Sequence, residues 1–169
     1  MGRVLGVDVG ERRIGLALSD PLGWTAQPLM TLVRAGEAET LEALKRLCLR
    51  LDVERIVVGL PRTLRGELGP QARRVEAFAR ALAGATGLPV VFEDERLTTV
   101  EAERAMLEAD LSRRRRRQAV DRTAAALILQ SYLERRRAAG ASGPEAAGEG
   151  PEAGPERPAG GGGGADAFD

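Results

Sequence analysis

The 169-residue chain contains no histidine. Proton transfer near neutral pH must therefore use another side chain, and zinc sites built on imidazole are excluded. Cys48 is the only cysteine, so no disulfide can form within the chain. It lies on an apolar stripe with Leu41, Leu44, Leu47 and Leu51, which predicts a buried thiol rather than a reactive one. Aromatic residues are 3% of the chain, with one Trp and one Tyr. That scarcity argues against a single-strand binder working mainly by base stacking. No apolar run is long enough to span a bilayer and the start shows no signal-peptide pattern, so the expected compartment is the cytoplasm, with no membrane partner.

Net charge is also missing: 25 basic residues balance 25 acidic ones. The balance hides a split. From Gly140 onward there are six acids and one base, which leaves 24 bases against 19 acids before it. The body is thus net +5 and suits an anionic partner such as nucleic acid. Residues 140–169 are mostly Gly, Ala, Pro and Glu. This composition buries too little apolar surface to offset ordering entropy and predicts a disordered acidic tail. Residues 1–139 fit one domain.

Apolar alternation predicts strands over 3–9 and 13–19, joined as a hairpin by a Gly-Glu-Arg turn. A third strand is expected over 27–33, with Pro28 confining it to a sheet edge or to its own start. The Cys48 stripe predicts a helix over 37–51. Short apolar runs at 54–60 and 88–92 read as buried parallel strands. Pro70 opens a helix whose buried face is Val75, Phe78, Ala79 and Leu82. Thr98 and Glu101 have capping-box spacing before a helix over 99–109, and Ser112 is the expected cap of a last helix running to about Arg137. The fold class expected is α/β, a mixed five-stranded sheet made of a three-stranded meander plus parallel strands, flanked by helices.

Three acids fall at telling places. Asp8 closes the first strand and Glu95 follows the last, so parallel strands would bring both to one sheet edge, where open α/β sheets bind ligands. Asp121 shares a helix face with Ala124, Ala125 and Ile128. Small residues there would let the helix approach the sheet closely, and a carboxylate on such a face should be paired or hold a metal. Each acid has a plainer reading. Asp8 could cap a turn, Glu95 could pair with Arg96 or Arg122, and Asp121 could be solvated. Taken together, three carboxylates without histidine suit hard cations, Mg2+ or Mn2+. Two such ions about 4 Å apart clamp a phosphodiester, one activating water and the other stabilising the leaving oxygen.

Phosphates would be guided by Arg12 and Arg13 at the first turn, Arg62 and Arg65 after the fourth strand, and Arg96 beside Glu95. The run Arg113–Arg117, with Arg114 inside it, is either a solvated helix face or a further nucleic-acid contact.

The segments "GVDVGERRIGLALSD", "VVGLP", "DERLTTVEAE" and "VDRTAAALILQSYL", in this order and spacing, resemble the YqgF/RuvX family of pre-16S rRNA nucleases and Holliday-junction-resolvase-like proteins. The resemblance covers residues 3–135 and implies an RNase H-like fold. It also implies a metal-dependent nuclease of ribosomal RNA 5′-end maturation, with Asp8, Glu95 and Asp121 as catalytic metal ligands and Asp94 in a supporting place. Pre-rRNA, ribosomal particles or branched DNA are the implied partners. One loop departs: "RTLRGELGP" has Thr63, Arg65 and Leu68 where the family carries Asn and acids. Two readings compete with rRNA processing. One is a junction resolvase, which needs two active sites and hence a dimer. The other is a non-catalytic nucleic-acid or ribosome-binding module. A nucleotide-binding enzyme of the sugar-kinase and actin class is disfavoured, because it closes two such domains over ATP.

Overall fold

The computed structural model describes residues 2–61, 67–97 and 113–140, with side chains in the last stretch from residue 119 onward. Five strands form one sheet in the order β3-β2-β1-β4-β5. β1 (Arg3–Val9), β2 (Arg13–Ser19) and β3 (Ala26–Val33) are the expected antiparallel meander. β4 (Val53–Leu60) runs parallel to β1, and β5 (Val90–Asp94) parallel to β4. Pro28 lies on the edge strand, as its missing N–H requires. The β2–β3 register shifts beside it, Leu16 facing Met30 but Ala17 facing Pro28.

Helices cover both faces. α1 (Glu37–Arg50) and α2 (Pro70–Thr86) pack on one side. There Leu44, Leu47, Cys48, Val75, Phe78, Ala79 and Leu82 meet Leu5, Val7, Ile14, Leu16, Ile56 and Val58. Burial pushes the Cys48 thiol up to about 11, so it stays protonated and inert at neutral pH. α3 (Arg113–Ala138) covers the other face, where Ala124, Ala125, Ile128, Leu129 and Leu133 meet Val4, Ala17 and Val57.

One expectation needs correction. The last strand is Val90–Asp94, not 88–92, and Glu95 opens a single 3-10 turn, Glu95–Leu97, beyond it. The apolar "LPVVF" suggested the earlier limits, but the ladder with β4 begins at Val90 and carries Glu93 and Asp94 inside it. The expected helix over 99–109 and its cap, and the Ser112 cap, lie outside the described residues, as does the chain beyond Gly140. No helix among the described residues is long and apolar enough to cross a membrane.

Candidate active site

β1 carries Val4, Gly6 and Asp8 on the face that α3 covers, because side chains alternate along a strand. Asp8 is 7% exposed and faces Gly15 directly across the hairpin. Gly15 is where α3 comes closest: a Cβ there would run into the backbone carbonyl of Asp121. Gly6 likewise lies under Ala125 and Leu129, and Gly59 of β4 lies under Ile128. The sheet thus offers a glycine floor to the alanine face of the helix. Close approach was legible from Ala124 and Ala125, whereas the floor depends on cross-strand register that no local pattern reveals.

The floor also seats the acids. A Cβ on Gly59 would stand 3.1 Å from Oε1 of Glu95, so that carboxylate turns back over the end of β4. Gly59 is one residue beyond Val58, the partner of Val7. Asp8 and Glu95 are therefore carried to neighbouring strand ends. Asp121 is held over Gly15, the cross-strand partner of Asp8. All three belong to the same edge and the same face.

Their partners differ. Arg13 Nε donates to Asp121 Oδ2 at 2.7 Å, with the two side chains 28% and 19% exposed. Arg13 was expected to face substrate phosphate; in this structure it pairs with the acid instead. Arg96 was likewise expected as a phosphate guide, and is tied to Asp94 at 2.7 Å. That bond raises the Arg96 pKa further above its ordinary value. Arg12 is exposed at the β1–β2 turn. Arg62 and Arg65 lie outside the described residues, as does the side chain of Arg114.

Three residues that carry this edge were not singled out from sequence. Arg34 donates to the Gly10 carbonyl at 2.8 Å and lies 4.9 Å from the centre of the Phe78 ring. Arg74 reaches Glu11 at 3.2 Å, so the turn is braced from two sides. Glu93 is fully buried, and its Oε2 accepts a bond from Arg135 at 2.9 Å. Its Oε1 lies 2.8 Å from the same guanidinium but off the hydrogen-bonding direction. Burial raises the Glu93 pKa, and the Arg135 charge opposes that rise. Had the strand been read two residues later, Glu93 would have stood out as an acid alternating with Val91 on a buried face.

A family model described as RuvX, Holliday junction resolvase, matches residues 2–135. A protein of Moorella thermoacetica named as a pre-16S rRNA nuclease is 62% identical over 133 residues, which span 79% of this chain and 95% of that protein. A Pelotomaculum thermopropionicum protein of the same name is 51% identical over 157 residues, 92% of this chain and 99% of that one. This chain belongs to the RuvX family. Its fold is shared with RuvC of Thermus thermophilus in complex with a Holliday junction substrate, at a TM-score of 0.54 and 17% identity, over 81% of this chain and 96% of that one. A second structure of Thermus thermophilus RuvC superposes with a TM-score of 0.53 at 16% identity, over 80% of this chain and 96% of that one. The fold is accordingly RNase H-like, as the resemblance implied.

In this RuvX chain the donor chemistry fits a hard divalent cation, since three carboxylates from three elements share one edge. Among the described residues no three acids or thiols stand close enough together to hold one ion. The Arg13 guanidinium supplies the positive charge at Asp121.

Proposed function

We propose that this protein is a divalent-metal-dependent endonuclease that matures the 5′ end of pre-16S rRNA, with Asp8, Glu95 and Asp121 as metal ligands. What supports the reading is where the chain carries these acids: Asp8 on β1 and Glu95 after β5 lie at neighbouring strand ends, and the α3 backbone at Asp121 lies over Gly15, the cross-strand partner of Asp8. Bound Mg2+ or Mn2+, as a pair of ions, would acidify the attacking water and offset charge building on the leaving oxygen. Asp8 is buried on a rigid strand, which fixes its direction before substrate arrives. Glu95 sits in a short turn against Gly59, so its carboxylate approaches from the β4–β5 side. Arg12, exposed on the braced turn beyond Asp8, is placed to draw a phosphate toward that edge. Both close relatives are named as pre-16S rRNA nucleases, and this supports RNA in a ribosomal precursor as the substrate.

The family description favours a second reading, junction resolution by a two-fold dimer. One experiment separates them. The purified protein is incubated with a 16S RNA carrying its 5′ extension and with a four-way DNA junction, each in Mn2+, Mg2+ or EDTA. Cuts in the RNA alone, absent in EDTA, are the expected outcome. Paired symmetric nicks in the junction alone would make it a resolvase. Binding to both with no cut in either would leave a non-catalytic module.

A further inference from the structure

The Arg13–Asp121 pair has a property that a simple surface ion pair lacks. It joins residues 108 apart in sequence, it is mostly shielded from water, and one partner is a proposed metal ligand. Arg13 lies on the α3 face of β2, two residues from Gly15, and Gly15 faces Asp8. Arg13 is therefore the diagonal cross-strand neighbour of Asp8 on that face, a separation that long side chains bridge. Its guanidinium stands between the strand that carries one proposed ligand and the helix that carries another.

We infer that Arg13 is an internal counter-cation that competes with the divalent ion for Asp121, and that the ion's arrival releases Arg13 to a substrate phosphate. The inference rests on the proposed ligand set. Asp121, part-buried on α3 above the sheet, needs a positive partner whether or not metal is bound. Arg13 supplies it without metal, bonded at 2.7 Å to one oxygen of the carboxylate that the ion would also use. A carboxylate oxygen that accepts a charge-assisted bond is a poorer ligand until that bond is given up. The freed guanidinium stays tethered to β2 at the same edge, where a planar fork of donors suits a phosphodiester. Arg13 is thus a positioning residue before metal binds and a substrate contact afterwards. Metal binding and phosphate binding become coupled, because each relieves a cost of the other.

The test is a calorimetric Mn2+ titration, without substrate, of the full chain, Arg13→Met and Arg13→Lys. Methionine keeps most of the stem volume, and lysine keeps the charge without the planar Nε donor. The expected result is about tenfold tighter Mn2+ binding for Arg13→Met, with Arg13→Lys in between. The second readout is RNA binding by anisotropy with Ca2+ or EDTA. Arg13→Met should weaken binding several-fold in Ca2+ and leave it unchanged in EDTA, where the wild-type guanidinium is held by Asp121. Equal or weaker Mn2+ binding by a folded Arg13→Met overturns the competition. If Arg13→Met does not fold, the same comparison made with Arg13→Lys decides it. Mn2+ binding by none of the three proteins overturns the ligand set and the competition together. Loss of tight Mn2+ binding in Asp121→Asn, alongside no change in either Arg13 variant, would uphold the ligand set and overturn the competition alone.

Discussion

Asp20 shows how much one carboxylate can organise. It accepts backbone N–H bonds from Trp24 at 2.7 Å, Thr25 at 2.8 Å and Leu22 at 3.3 Å, folding the loop between β2 and β3 around itself. The Thr25 bond is the main reason its pKa lies below 3.8. A lowered folded pKa contributes stability that is complete above the unfolded value and is lost as pH falls through the folded one. Asp20→Asn should therefore melt below the parent at neutral pH, and the gap should close as pH falls below 3.8. Thermal unfolding across pH checks this; a constant gap would refute it. Glu93 is the opposite case, a buried acid dependent on one partner. Arg135→Met should cost about 1–3 kcal/mol, less than for a fully enclosed pair because Arg135 is 55% exposed. Urea unfolding measures it. Asp8, Glu95 and Asp121 were singled out from sequence because acids beside apolar runs need a reason. The partners of Asp121 and Glu93 were not, since Arg13 and Arg135 are 108 and 42 residues away.

At the scale of elements, the site depends on how closely α3 lies on the sheet. Ala26 N–H donates to Gln130 Oε1 at 2.9 Å, which pins the middle of α3 to the edge strand. Gly6, Gly15 and Gly59 let it settle over β1, β2 and β4. Gly15→Ala should push the Asp121 turn outward, because the obstruction is backbone rather than a movable side chain. We expect a loss of about 1–3 kcal/mol and weaker metal binding together. Gly59→Ala should displace Glu95 and the Ile128 side chain at a smaller cost, since both can rotate. Unfolding and Mn2+ titration of the two variants test this; a Gly15→Ala protein as stable as the parent would contradict it. The hairpin, the edge position of β3 and the start of α2 at Pro70 followed from turn and proline chemistry. The limits of β5 did not, because two acids complete a strand whose apolar part ends at Phe92.

Across the whole molecule, the sheet order β3-β2-β1-β4-β5 puts β1 at the centre with parallel β4 beside it. That arrangement brings the first turn and the end of β5 to one edge, and it made the convergence of Asp8 and Glu95 foreseeable from sequence. The charge split belongs to this scale too. Residues 140–169 hold net −5 against a body of net +5. We expect a chain ending at Gly140 to keep the thermal midpoint of the full chain and to bind RNA more tightly at low salt. Matched melting curves and binding isotherms decide this, and a drop in the midpoint would show that the acidic stretch packs on the body. If carboxylates at one sheet edge make this RuvX chain a metal-dependent nuclease, Mn2+-dependent cleavage of the 5′-extended 16S RNA should separate the wild type from Asp8→Asn. The wild type should cut, with EDTA abolishing the cuts, and Asp8→Asn should make none although it still binds the RNA. Wild-type-like cleavage by Asp8→Asn would contradict this.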